Sequence, residues 1–239
     1  MTERRALFLQ EMGLIPVWLL KPKPVAPPSP DELQALDWAG LQAAVAGCTA
    51  CGLHKTRSQT VFGVGDENAD WLFIGEAPGA DEDAQGEPFV GQAGKLLDNM
   101  LQAVGLKRGD NVYIANVLKC RPPGNRNPLP EEVAKCEPYL RRQVELIKPK
   151  LIVSLGKFAT QTLLGQEVTI ASVRGRVHDY HGIPLIVTYH PAYLLRTLQD
   201  KAKAWDDLCL ARETMQGLYS GSSATISSVR LTYELMRRC

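Results

Sequence analysis

Four short, almost wholly apolar runs limit what this chain can fold into. They are WLFI at 71–74, VYIAN at 112–116, LIVSL at 151–155 and LIVTY at 185–189. Each is too short for a buried helix and rich in β-branched or aromatic residues, so each predicts a strand. Continuous rather than alternating apolarity means that both faces of the strand are covered. Helix-length segments separate the runs at 95–104, 130–147 and 157–164, and one within about 202–216 follows the last. Pro130, Glu131 and Glu132 make a favourable first turn for the second of these. Strands alternating with helices predict an α/β fold, three layers αβα around a central, mainly parallel four-stranded sheet. Residues 166–184 add a small hairpin.

The core domain is expected over 31–216, where Asp31 to Gly47 reads as a helix that delivers Cys48 and Cys51. Before it, six prolines between Pro16 and Pro30 disfavour regular structure and predict an extended N-terminal arm over 1–30, read first as a plain mobile extension, with binding of a repair partner or auxiliary contact with DNA as the alternatives. Residues 217–239, Ser-rich and then RLTYELMRRC, read as a tail. No apolar run approaches the roughly 20 residues that span a bilayer. Charges interrupt the start, MTERRALFLQEMG, so it does not read as a secretory signal. A cytoplasmic monomer with no membrane contact is expected. The net charge of +1 announces no nucleic-acid partner, so any such site must come from local clustering.

The irregular segments gather at one place in the pattern. GEAPGADED (75–83) and PFVG (88–91) follow the first strand, Asn116 closes the second with KCRPPGN (119–125) after it, and HPAYLLR (190–196) follows the fourth. In an open parallel sheet, ligands bind in the crevice outside the carboxyl ends of the strands.

Six cysteines in a chain expected in the cytoplasm argue for metal binding or catalysis rather than a disulfide scaffold. Cys48 and Cys51 form C-x2-C, Cys120 and Cys136 form C-x15-C, and Cys209 and Cys239 stand alone. Four thiolates from two segments suit a zinc ion or an iron–sulfur cluster. The long second spacing departs from the paired short spacings of structural zinc and favours the cluster; four unconnected buried thiols are the remaining alternative. Cys209 reads as a small core residue.

GEAPG, PFVGxAG, N-V-x-K-C-R-P-P, the four cysteines and HPAYLLR occur in this order over about residues 40–215. Together they resemble the uracil-DNA glycosylase superfamily, and within it the iron–sulfur family 4 branch. The resemblance implies an enzyme that flips uracil out of single- or double-stranded DNA, hydrolyses its N-glycosidic bond and leaves an abasic site. It also implies a 4Fe–4S cluster on Cys48, Cys51, Cys120 and Cys136. The cluster-free branch has Asp and then a bulky Tyr in its first motif; here Glu76 stands for the Asp and no Tyr follows. The branch that crosslinks itself to DNA carries a reactive histidine after the RPP loop. RPPGNRNPLPEE has none, so covalent trapping is not expected.

On that resemblance each site residue takes a role. Glu76 positions a water and balances a cationic sugar, and His190 hydrogen-bonds uracil O2 as it gains charge. Phe89 stacks on the extruded base, Asn116 pairs with its O4 and N3–H, and backbone N–H groups from Gly75 to Ala77 assist. Leu194 is the apolar wedge, with Tyr193 or Leu195 as alternatives. Arg196 and Arg121 meet phosphates; Lys119 and Arg126 join Arg121 as one basic group, and Arg174 and Arg176 form another, each read equally as phosphate contacts or as ordinary solvated surface charges. Asp81, Glu82 and Asp83 read first as solvated or helix-capping, with a share in the role of Glu76 as the alternative. The same pocket would serve a non-catalytic module for uracil-containing or damaged DNA, and a zinc-stabilised α/β domain of other function is a third reading.

Overall fold

The computed structural model describes residues 28–220. Residues 1–27 of the expected arm and 221–239 of the expected tail lie outside the described residues. The helices and strands are α1 (Pro30–Ala35), α2 (Trp38–Ala46), β1 (Val64–Gly65), β2 (Trp71–Gly75), α3 (Ala80–Gln85), α4 (Gln92–Ala103), β3 (Val112–Asn116), α5 (Pro130–Ile147), β4 (Leu151–Leu155), α6 (Lys157–Leu164), α7 (Ile170–Val173), β5 (Val177–Tyr180), β6 (Ile183–Thr188), α8 (Pro191–Leu194) and α9 (Lys201–Tyr219). The helix expected over 31–47 breaks in two at Asp37, whose carboxylate accepts the Gly40 N–H at 2.8 Å and so starts a new helix.

The sheet has six strands in the order β1-β3-β2-β4-β6-β5, where four were expected. The four foreseen strands form its parallel centre, and β1 and β5 pair antiparallel at its edges. β1 carried no sequence signal because it is two residues long and ends on Gly65. A hairpin was expected within 166–184, but that segment supplies one strand of it, β5, and the other is β6, the fourth foreseen strand. The hairpin turns at His181 and Gly182, both with positive φ, the backbone that suits a tight hairpin turn.

Side chains alternate across the central strands, and each face has its own core. Trp71, Phe73, Ile114 and Val153 pack with Leu97 and Leu101 of α4 and Leu208 and Met215 of α9. Leu72, Ile74, Ala115 and Ile152 pack with Leu140 and Val144 of α5 and Leu163 of α6. This is the expected three-layer αβα arrangement.

Among the parallel strands the chain starts at β2, moves to β3 on one side, then crosses to β4 and β6 on the other. The switch between β2 and β4 opens a crevice at the carboxyl ends of the strands. Register aligns those ends: Gly75 lies beside Asn116 and Leu155 beside Thr188. The loops after all four strands therefore emerge at one edge.

Candidate active site

A cleft of about 760 Å³ lies at that edge, and Glu76, Phe89, Asn116 and His190 all line it. Their convergence follows from the strand ends. Glu76 leaves β2, Asn116 is the last residue of β3, and His190 stands two residues beyond β6. Gly75 lies beneath them. A Cβ there would collide with Asn116 Oδ1 and stand 2.6 Å from Phe89 Cζ, so only glycine lets ring and amide meet.

Phe89 has a left-handed backbone, φ 55°, strained for a residue with a side chain. Several neighbours hold it there. Arg108 donates to the carbonyls of Pro88 and Phe89 at 2.8 Å each and is itself fixed by Asp98 at 2.9 Å. Glu82 accepts from Gly79 N–H at 3.0 Å and from Val90 and Gly91 N–H at 3.0 and 3.3 Å, which knots the two loops after β2 together. Asp83 is buried and takes the Ser58 N–H. Glu82 and Asp83 are thus structural. The Phe89 ring stacks near His190, centroids 5.5 Å apart and planes 28° from parallel.

The polar groups of the cleft are tuned by burial. Desolvation pushes the Glu76 carboxyl up to about 7 and holds the His190 imidazole down at about 4, so the ring is neutral at neutral pH. His190 Nδ1 accepts the Ala192 N–H at 3.1 Å as the cap of α8. The single proton of the neutral ring therefore sits on Nε2, ready to donate. Asn116 is 2% exposed, and its Oδ1 has no hydrogen-bond partner among the described residues.

The structure places the other expected contacts as follows. Leu194 is 1% exposed and packed in the core, because α8 turns it inward. Leu195 is 42% exposed on the same segment. Tyr193 stacks on Tyr189 at 5.2 Å and bonds Asp200 at 2.6 Å, which fixes its ring. Lys119 is 2% exposed and its ammonium is used up by internal acceptors, so it is no phosphate contact. Arg174 is bound to the buried Asp207 at 2.9 Å and to the Lys203 carbonyl. Arg126 grips Glu132 with two bonds of 2.9 and 2.6 Å and lines the cleft from there. Arg121 bonds Asn125 at 2.7 Å and does not line the cleft. Arg196 is exposed at the rim, and Lys157, which sequence reasoning passed over, lines the cleft too.

The four cysteines come together as well. Cys48, Cys51, Cys120 and Cys136 line one small cavity with Arg57 and Tyr139. Among the described residues, no three His, Cys, Asp or Glu side chains lie close enough to grip a single metal ion. Arg57 spans both halves of the set, donating to Cys120 Sγ at 2.9 Å and to the Cys48 carbonyl at 2.8 Å. The Lys119 N–H donates to Cys136 Sγ at 3.2 Å. Burial pushes the Cys136 thiol up to about 12, so a thiolate there needs a cationic partner. Glu82 caps α3 as its position suggested, whereas Arg57 and Arg108 were missed as supports because a single charged residue on a loop carries no spacing signal.

Residues 62–209 match the uracil DNA glycosylase superfamily. The chain is 52% identical over 159 residues to the type-4 uracil-DNA glycosylase of Archaeoglobus fulgidus, covering 63% of this chain and 79% of that one. It is 47% identical over 158 residues to the type-4 enzyme of Thermotoga maritima, covering 65% and 82%. To that of Pyrobaculum aerophilum it is 40% identical over 185 residues, covering 73% and 93%.

Proposed function

This chain belongs to the uracil-DNA glycosylase superfamily, and from that premise we propose that it releases uracil from DNA by hydrolysing the N-glycosidic bond and leaves an abasic site. The observation that carries the reading is Asn116. A buried amide oxygen with no partner, in a cleft floored by an aromatic ring, is a group waiting for a ligand's donor. Uracil N3–H supplies that donor and uracil O4 accepts from the amide N–H. Cytosine presents an acceptor at N3 and a donor at C4, so in the same pose it leaves buried polar atoms unpaired, at about 1–3 kcal/mol each.

A base within a duplex is out of reach, so the target nucleotide is extruded into the cleft. Phe89 offers the stacking face, worth about 1–3 kcal/mol. As the glycosidic bond breaks, negative charge gathers on uracil O2 and positive charge on the sugar. A neutral His190 donating from Nε2 stabilises the first without transferring its proton. Glu76, ionised above about pH 7, stabilises the second and orients the attacking water. Leu195 is the wedge that fills the vacated stack. Arg196 and Lys157 at the rim meet phosphates, which makes binding salt-sensitive.

The cysteine set suits a 4Fe–4S cluster. Four thiols line one small cavity, and two N–H donors, from Arg57 and from the Lys119 backbone, already face their sulfurs. Bound there, the cluster would tie residues 48–51 to the loop and helix at 120–136, supplying a cross-link and no chemistry on the base.

The test is direct. Purified protein is incubated with a uracil-containing oligonucleotide and the product heated in alkali; strand cleavage at the uracil is expected. Tight binding without base release would instead identify a non-catalytic damaged-DNA module. Iron and acid-labile sulfide, with visible absorbance, are expected in the same preparation, whereas zinc alone would refute the cluster.

A further inference from the structure

We propose that Lys119 is a positioning residue for excision, its ammonium coupling the cysteine set to the backbone that carries Asn116. The inference rests on reading Asn116 as the residue that contacts the base.

Lys119 stands in a basic stretch between Asn116 and Arg121, yet its side chain goes inward. An ammonium has three protons, and three acceptors take them: the Asn116 carbonyl at 2.8 Å, the Phe62 carbonyl at 3.2 Å and Gln143 Oε1 at 2.5 Å. Gln143 Nε2 in turn donates to the Phe62 carbonyl at 3.0 Å, and the Lys119 carbonyl accepts the Val61 N–H at 2.8 Å. Three separate segments are thus pinned to one charge: the end of β3, residues 61–62 and α5. Burying an ammonium is expensive, and an apolar side chain would fill the same space at no such expense. What an apolar residue cannot do is hold the carbonyl of Asn116, which lies at the last position of β3.

The other end of Lys119 belongs to the cysteine set. Its N–H donates to Cys136 Sγ, and Cys120 is the next residue in the chain. A displacement of the cysteines is therefore passed through one fully bonded residue to the strand end beneath the base. This gives a cross-link that does no chemistry a route to the reaction.

The experiment is a double-mutant cycle on kcat/KM for a uracil oligonucleotide, with Asn116→Ala and Lys119→Met singly and together. Inhibition by free uracil and affinity for uracil-free DNA are measured alongside. Lys119→Met is expected to lower kcat/KM about tenfold, to weaken free-uracil inhibition similarly, and to leave affinity for uracil-free DNA unchanged. In the Asn116→Ala background it should add less than about twofold, because both changes remove the same contact. Equal factors in both backgrounds would mean a purely structural lysine and would overturn the proposal. Loss of affinity for uracil-free DNA would overturn it too, by making Lys119 a phosphate contact. If Lys119→Met does not fold, Gln143→Met goes through the same cycle; it removes one of the three props, and a smaller, again non-multiplicative loss is expected. Full activity in Asn116→Ala would refute the reading of the pocket itself, a failure distinct from that of the coupling.

Discussion

Replacing Glu76 with Gln should make the protein more stable and inactive at once. Burial raises the Glu76 carboxyl from an ordinary 4.5 to about 7. Below 4.5 the group is protonated in both folded and unfolded chains and has no effect on folding. Between 4.5 and 7 the folded chain holds a proton that the unfolded chain has lost, so stability falls as pH rises. Above 7 the folded state carries the full penalty of a buried charge. A shift of this size corresponds to about 3 kcal/mol, and partial contact with water reduces the expected figure to about 2 kcal/mol. Glutamine has the same shape and no charge to desolvate. At pH 8 Glu76→Gln should therefore raise Tm by about 4–8 °C for a chain of this length, with the gain vanishing near pH 4. The assay is thermal unfolding of both proteins across that range, with excision measured in parallel. Wild-type kcat/KM should rise through an inflection near 7, and the variant should stay inactive throughout. A Tm gain that is absent at pH 8, or undiminished at pH 4, would refute the reasoning that this carboxylate is held in the cleft at the expense of stability.

Other expectations are simpler. Gly75→Ala places a methyl group between Phe89 and Asn116; excision should fall on the order of a hundredfold, since displacements of about 1 Å at a reacting centre have that effect. Leu194→Ala should destabilise by about 2–5 kcal/mol in chemical denaturation, as expected for a core leucine. Leu195→Ala should change stability by under about 0.5 kcal/mol, while slowing excision from duplex more than from single-stranded DNA. The reverse pattern would restore Leu194 as the wedge. Cys136→Ser should lower both bound iron and Tm, read by metal analysis and calorimetry; unchanged iron content would remove Cys136 from the ligand set.

The central strands were legible because apolar runs of that length have one stable use, a covered parallel sheet. The same pattern put the irregular loops at the carboxyl ends, and the resemblance of their motifs to the uracil-DNA glycosylase superfamily named Glu76, Phe89, Asn116 and His190 before any geometry was known. Gly75 was named for its backbone N–H alone; that Phe89 and Asn116 crowd against it is a tertiary fact. The edge strand β1 was not, being too short to leave a pattern.

What the residues alone determined, then, is the central strands and the edge at which their loops emerge, since strand periodicity is a short-range property written in neighbouring side chains; the groups at the cleft were legible through the resemblance of the loop motifs. Only the tertiary structure decided which side of the surface each group took. Lys119 and Arg174 look like solvent-exposed cations in sequence, yet the first is consumed by Asn116, Phe62 and Gln143 and the second by Asp207. Leu194 and Leu195 are the same residue type side by side, and the turn of α8 alone sends one into the core and the other toward solvent. The protonation of Glu76 and the tautomer of His190 likewise depend on desolvation and on one backbone N–H, which come into being only when distant parts of the chain close around them.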